Sequence, residues 1–177
     1  MPTENELKYL MINGCENEIK NAACRERHIR QGYLSFSKGM SLRIRDTNFK
    51  NYELTYKQKV GKRVIEIETD IEKKDFEDLW EISVNRLEKI RYDIKIKKNL
   101  WEVDAFKDHN HETYILVAEH EMPEGMLKPK KIPEIILKSL LYSVDRNDDR
   151  FASKKLADVK YSKKLYNKIL EEIKNEK

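Results

Sequence analysis

Charged residues of like sign recur two positions apart along this sequence. The acidic pairs are Glu4/Glu6, Glu66/Glu68, Glu102/Asp104 and Glu119/Glu121, and the basic pairs are Arg43/Arg45, Lys57/Lys59 and Lys89/Arg91. Carboxylate oxygens are the ligands that Mg²⁺ and Mn²⁺ prefer. Lysine and arginine bind phosphate oxygens, and arginine can do so with two parallel hydrogen bonds. The two sets together indicate a site for a divalent metal ion and a polyphosphate.

These pairs must be positioned by β-strands, because residues two apart project from the same face of a strand. Each pair alternates with apolar residues, as Glu66 and Glu68 do with Ile65 and Ile67. An antiparallel sheet with one face in water is the commoner origin of such a pattern. Here acids are sorted with acids and bases with bases, and helical segments need an apolar surface to cover. We therefore expect the charged faces to point into a closed barrel and the helices to lie outside it.

Alternating runs predict about eight strands, which is enough to close a barrel. They lie at residues 3–12, about 30–36, 40–46, 51–59, 64–71, 87–97, 100–107 and 112–122. Helices are predicted at 16–28 and 73–85 and through the last third of the chain, about 130–175. The expected fold class is α+β, with a closed eight-stranded antiparallel β-barrel (strands within about 3–122), outer helices and a C-terminal helical segment. No linker or repeat interrupts residues 1–177, so one domain is expected. Whether the C-terminal helices close one end of the tunnel is left open.

Composition and the lack of long apolar segments indicate which partners and which cellular compartment to expect. The chain has 177 residues, of which 38% are charged, and a formal net charge of +4. No apolar run approaches the roughly 20 residues of a membrane span, so no membrane partner is expected. Cys15 and Cys24 have no CxxC spacing and no secretory signal is evident, which favours a cytoplasmic location. No stripe of aromatic residues beside basic ones indicates nucleic-acid binding, and the oligomeric state is not indicated.

Motifs along most of the chain resemble those of the CYTH domain, the triphosphate tunnel metalloenzymes. Glu4-Asn5-Glu6-Leu7-Lys8 is similar to the ExExK signature of that family. Further similar segments follow in the family's order: Ile29-Arg30-Gln31-Gly32-Tyr33-Leu34, Leu42-Arg43-Ile44-Arg45, Leu54-Thr55-Tyr56-Lys57, Glu66-Ile67-Glu68, Lys89-Ile90-Arg91-Tyr92, Trp101-Glu102-Val103-Asp104, Ala118-Glu119-His120-Glu121 and Asp149-Arg150-Phe151.

The resemblance implies an eight-stranded tunnel that holds a triphosphate with Mg²⁺ or Mn²⁺. It implies metal binding by Glu4, Glu6, Glu119 and Glu121, assisted by Glu68 and Asp104. It implies phosphate binding by Lys8, Arg43, Arg45, Lys57, Lys89 and Arg91. Glu4, Glu6 and Lys8 are the expected catalytic residues. The sequence assigns no role to Lys59 or Arg63.

Hydrolysis of a small triphosphate is the leading functional hypothesis, with inorganic tripolyphosphate as the first substrate because nothing in the sequence indicates a base-recognition pocket. Two alternatives keep the fold: cyclisation of ATP, as in class IV adenylyl cyclases, and hydrolysis of thiamine triphosphate. A third alternative is a non-catalytic binder of polyphosphate or of RNA 5′-ends. The residues that would distinguish these substrates lie on loops and at the tunnel mouth.

Overall fold

The alternating segments form one large antiparallel sheet. A computed structural model describes residues 5–61, 63–123, 125–146 and 148–175; Glu4, one of the expected metal ligands, lies outside them. The strands are β1 (Glu6–Met11), β2 (Arg25–Ser37), β3 (Met40–Thr47), β4 (Asn51–Val60), β5 (Arg63–Asp70), β6 (Asn85–Ile96), β7 (Asn99–Lys107), β8 (Thr113–Glu121) and β9 (Leu140–Val144).

The strands pair in the order β5-β4-β3-β2-β6-β7-β8-β1-β9, and every neighbouring pair is antiparallel. Within the described ranges no ladder joins β5 to β9, so the pairing itself is that of an open sheet. Residues from β1 to β8 nevertheless line one shared cavity. The sheet is therefore strongly curved, with its charged face on the concave side.

In the part of the chain that the structure describes, five helices accompany the sheet. They are α1 (Glu16–Ala22), α2 (Lys73–Glu81), α3 (Glu134–Lys138), α4 (Ser153–Leu156) and α5 (Val159–Asn175), and a 3-10 turn spans Asp149–Phe151. No helix in the described part of the chain is long and apolar enough to cross a membrane.

The apolar residues of the convex face pack against three of these helices. Ile19 of α1 and Ile136 of α3 join a cluster with Trp101 and Leu116, which project outwards from β7 and β8. Phe76 of α2 packs with Ile44 and Tyr52 over β3 and β4. Burial of these large apolar side chains stabilises the packing of the helices on the sheet, since each contributes about 1.5–3 kcal/mol relative to exposure. The expectation of helices against the outward apolar face is therefore met.

The C-terminal helices instead cover part of the concave face. Leu10 and Val117 share a face with Lys8 and Glu119, yet they pack with Leu165 and Ile169 of α5 in a fully apolar cluster. The concave face thus has a charged region and an apolar region, and α4 and α5 close the apolar one. The C-terminal helices therefore pack against the concave face, beside its charged region.

The largest differences between the predicted and observed elements concern two helices and one added strand. The helix predicted at 16–28 ends at Ala22, and β2 begins at Arg25 because residues 25–28 pair with β6. The helix predicted at 73–85 ends at Glu81. Leu140–Val144, inside the segment predicted to be helical, pairs with β1 as a ninth strand. Edge pairing of this kind depends on a distant partner strand, so local periodicity cannot reveal it.

Candidate functional site

A cavity of about 420 Å³ lies within the curve of the sheet, and we call it the cationic cavity. Eight of its described lining side chains are basic and three are acidic, an excess of five positive charges. The basic ones are Lys8, Arg43, Arg45, Lys57, Lys59, Lys89, Arg91 and Lys154, and the acidic ones are Glu6, Glu102 and Glu119. Such an excess, in a partly desolvated space, favours a polyanionic ligand.

Strand register brings the carboxylates together on one side of this cavity. Glu6 of β1 lies opposite Glu121 of β8, and Glu119 lies opposite both Lys8 of β1 and Glu102 of β7. The ammonium of Lys8 lies 2.9 Å from Glu6 and 2.5 Å from Glu119. Burial alone would lower the pKa of Lys8, but Glu119 and Glu6 raise it above its ordinary value. Lys8 is therefore a permanent cation that holds two carboxylates near one another.

Asp104 forms the most buried part of the site and is fully inaccessible to solvent. Its Oδ2 accepts from Lys89 at 2.5 Å and from Arg91 at 2.7 Å, and its Oδ1 accepts from Arg91 at 2.5 Å. Arg91 also donates to Glu102 at 2.7 Å and to Glu119 at 3.2 Å. Burial alone would raise the pKa of Asp104, but Arg91 and Lys89 hold it well below its usual range. Asp104 is therefore an ionised anchor for two cations.

In Lys89 and Glu119, burial and neighbouring charges shift the pKa in a different balance than in Asp104. Burial and the neighbouring Arg91 lower the pKa of Lys89 to about 8, against the attraction of Asp104. Lys89 is consequently the cation of this group that loses its proton first. Burial would raise the pKa of Glu119, but Lys8 and the other nearby cations lower it. Asp104 and Glu119 are thus both ionised at neutral pH.

The opposite wall contains two arginines of β3. The guanidinium of Arg45 donates to Gln31 Oε1 from Nε at 3.1 Å and from Nη2 at 2.9 Å, and Gln31 donates to the hydroxyl of Tyr33 at 2.7 Å. Burial and the neighbouring Arg43 lower the pKa of Arg45 to about 10, so it remains charged at neutral pH. Arg43 lies 3.7 Å from Glu66, and its buried Nε makes no hydrogen bond to any described residue. An incoming anion would satisfy this donor.

The expected site residues differ in how they relate to the cavity. All six expected phosphate ligands line it, as do Glu6 and Glu119. Asp104 lies behind the lining with both oxygens engaged. Glu121 shares the concave face with Glu6 but is exposed, and Glu68 is exposed on β5 and accepts from Thr55 at 3.2 Å. Neither of these two is among the lining side chains.

Several lining residues were not predicted as site residues. Strand parity puts Tyr33 and Glu102 on the charged face, and strand register places them beside Arg43 and Glu119. Lys59, whose role the sequence left open, also lines the cavity, whereas Arg63 does not. Lys154 lies beyond the last strand, so no pattern in the sheet could reveal it.

Arg27 was also missed, because its segment was predicted to be helical. It lies on the same face as Arg91 and bridges Asp93 at 2.5 Å and Glu102 at 2.6 Å. Its buried Nε makes no hydrogen bond to the described residues. Arg27 thereby extends the ion-pair network beyond Glu102.

The donor set on β7, β8 and β1 is compatible with a divalent cation. Glu6, Glu119, Glu121 and Glu102 offer only carboxylate oxygens, which suit Mg²⁺ or Mn²⁺. In the described part of the chain no three acidic, histidine or cysteine side chains already surround one point. Lys8 and Arg91 instead provide the positive charge between these oxygens. These residues therefore offer suitable ligands for a divalent metal ion, and they project from the same face of the sheet.

The chain matches the CYTH domain over residues 2–141, which is most of its length. It therefore belongs to the CYTH family, as the order of its motifs predicted. Two crystal structures of the protein NE1496 are similar. One, described as a hypothetical protein, is 27% identical, with a TM-score of 0.55 and coverage of 88% of this chain and 97% of that one. The other, described as the inorganic triphosphatase, is 26% identical, with a TM-score of 0.53 and coverage of 86% and 95%.

An inorganic triphosphatase of Acetivibrio thermocellus is also similar in sequence. It is 32% identical over 97 residues, which make up 54% of this chain and 61% of that protein. The chain thus matches about three fifths of the length of this relative. The fold and the concave charged face agree with membership of the family.

Proposed function

We propose that this protein is a metal-dependent triphosphatase. Its proposed substrate is inorganic tripolyphosphate, which it cleaves to pyrophosphate and phosphate. The observation that carries the proposal is the excess of five positive charges lining one cavity, with carboxylates grouped on one side of it. Buried charge is costly unless it is compensated. A triphosphate with a divalent cation supplies both compensating charges.

In this proposal the basic residues bind and orient the phosphate chain. Arg43 and Arg45 approach from β3, Lys57 from β4, and Lys89 and Arg91 from β6. Gln31 holds one edge of the Arg45 guanidinium and leaves its other N–H groups available. Phosphoryl transfer depends mainly on positioning and on electrostatic stabilisation of the phosphate oxygens. Fixed cations in a partly desolvated cavity provide both effects.

The carboxylates have a separate role. Glu6, Glu119 and Glu121 would hold the metal, together with Glu4, and Lys8 fixes the first two side chains through its ion pairs. When bound, a divalent cation neutralises phosphate charge and makes a coordinated water more acidic. Asp104 and Glu68 belonged to the expected metal set. We propose that Asp104 acts through Lys89 and Arg91, because both of its oxygens are already bound to them.

Two features support a tunnel and an inorganic substrate. Residues from β1 to β8 face one cavity, which supports the proposal that the sheet encloses the substrate as a barrel does. Tyr33 is the one aromatic side chain among the described lining residues, and its hydroxyl is hydrogen bonded to Gln31. The lining therefore offers little surface for stacking a nucleobase or a thiamine ring. The similarity to two inorganic triphosphatases supports the same substrate.

The test is phosphate release from tripolyphosphate, ATP and thiamine triphosphate, each with Mg²⁺, with Mn²⁺ and with EDTA. We expect rapid metal-dependent release from tripolyphosphate and a loss of at least about 100-fold in Glu6→Gln, as for a lost transition-state interaction. Glu134→Gln is the matched control, because Glu134 is exposed and pairs only with Lys138 among the described residues.

Three results would overturn the proposal. Bound tripolyphosphate with no release under any condition would make the protein a receptor. Cyclic AMP formed from ATP would make it a cyclase. Faster hydrolysis of thiamine triphosphate than of tripolyphosphate would change the substrate.

A further inference from the structure

The C-terminal segment contributes directly to the wall of the cationic cavity. Phe151 and Leu156 are almost fully buried in the apolar cluster of the concave face. Between these two anchors, Ala152, Ser153 and Lys154 line the cavity. The match to the CYTH domain ends at residue 141, so this part of the wall lies outside the matched region.

Lys154 is held in place at both its backbone and its side chain. Its carbonyl oxygen accepts from Asn85 Nδ2 at 2.6 Å, at the start of β6. Its ammonium donates to the carbonyl oxygen of Ser37 at 3.2 Å and lies 5.4 Å from the ring centroid of Phe36. The side chain is thereby directed across the end of β2, whose Tyr33 lines the same cavity. A lysine fixed in this way loses less side-chain entropy when it binds a ligand.

The charge of Lys154 has no acidic partner among the residues that the structure describes. The adjacent Lys155 differs, because its ammonium lies 2.8 Å from Asp149 and its side chain does not line the cavity. A neutral carbonyl oxygen and an aromatic ring leave the charge of Lys154 available to an anion. The two neighbouring lysines therefore provide a natural comparison between a cavity-facing cation and a surface ion pair.

We infer that Lys154 is a further substrate-binding residue, which contacts the terminal phosphate lying closest to the C-terminal segment. This inference rests on the proposed function of the cavity. The other basic lining residues belong to the sheet, whereas Lys154 approaches from the C-terminal segment. A triphosphate extends further along the cavity than a diphosphate bound at the sheet residues. Lys154 thus distinguishes triphosphate from diphosphate, and it contributes to KM rather than to kcat.

The experiment compares the full-length wild-type chain with Lys154→Met, Lys154→Arg and the control Lys155→Met. Calorimetry in EDTA measures binding of tripolyphosphate and of pyrophosphate without turnover. Steady-state kinetics with Mg²⁺ and tripolyphosphate then give KM and kcat. We expect Lys154→Met to weaken tripolyphosphate binding and raise KM by roughly tenfold, the loss of one hydrogen bond to a charged group. Pyrophosphate binding and kcat should change less than about twofold.

Lys154→Arg should restore most of the affinity because it keeps the charge, and Lys155→Met should resemble the wild type. Equal weakening of both ligands, or no weakening of tripolyphosphate binding, would overturn the inference. So would the same loss in Lys155→Met, because it would indicate a general charge effect. The binding arm separates this inference from the proposed function: a protein that binds tripolyphosphate through Lys154 but releases no phosphate would refute only the catalytic proposal. Thermal unfolding of each variant checks that the fold is retained.

Discussion

Replacement of Asp104 by asparagine tests whether this carboxylate is a structural anchor or a metal ligand. Asp104 is completely buried and receives three hydrogen bonds from Lys89 and Arg91, each at 2.5–2.7 Å. Asparagine has almost the same shape, but it removes the negative charge and turns one acceptor into a donor. Both cations then remain in a buried position without their main partner. Removal of one partner from a buried ion pair typically destabilises a protein by about 3–5 kcal/mol.

Urea unfolding, followed by circular dichroism, provides the assay. We expect Asp104→Asn to lower the free energy of unfolding by about 3–5 kcal/mol in EDTA without ligand. Saturating tripolyphosphate should reduce the difference from the wild type, because its phosphates compensate Lys89 and Arg91. Asp149→Asn is the matched control. Its side chain is 80% exposed and pairs with Lys155, so we expect a change below about 1 kcal/mol.

A free energy of unfolding within about 1 kcal/mol of the wild type would refute the anchoring role of Asp104. If activity were lost while stability in EDTA remained unchanged, Asp104 would instead be a metal ligand, as the family resemblance implied. The two roles therefore give opposite results in the metal-free protein.

Three further predictions concern the pH dependence of ligand binding, the packing of α5 and the close contact between Gly32 and Ser83. Because the pKa of Lys89 is about 8 in the folded chain, its positive charge is lost as the pH rises through that value. Calorimetry should show weaker metal-free tripolyphosphate binding at pH 9 than at pH 7, and Lys89→Arg should reduce this difference; equal pH dependence in both proteins would contradict the assignment. Ile169→Ala should cost about 2–5 kcal/mol in urea unfolding, because Ile169 is fully buried under the sheet; a loss below about 1 kcal/mol would contradict the packing of α5. Gly32→Ala should lower the melting temperature, because a Cβ there would clash with the side chain of Ser83; an unchanged melting temperature would show that Ser83 can move without cost.

Strand parity predicted much of the cavity, because alternation fixes which residues share a face. Lys8, Arg43, Arg45, Lys89 and Arg91 all line the concave side, and their apolar neighbours pack outwards or under helices. Parity does not define strand register, so the ion pairs of Lys89 and Arg91 to a buried Asp104 could not be predicted. Register decides which residues on neighbouring strands face one another.

Other parts of the site depend on structure that no local pattern contains. The position of Arg27 on the concave face could not be predicted, because the charges at 25–28 are also compatible with a helix. The segment is a strand because it pairs with β6. The apolar region under α5 was equally hidden, since Leu10 and Val117 look like continuations of a charged face. The position of Lys154 depends on where Phe151 and Leu156 are buried.

The pairing of β1 has a consequence for synthesis on the ribosome. Glu6 lies opposite Glu121 and Lys8 opposite Val144, so the first strand finds its partners more than a hundred residues later. The hairpins from β2 to β7 can form while β1 still has no partner, because contacts between distant residues form late. A nascent chain at that stage holds the arginines of β3 before the carboxylates of β8 have been synthesised and while those of β1 have no partner strand. It would attract polyanions, including the surrounding ribosomal RNA, before it could hold a metal ion.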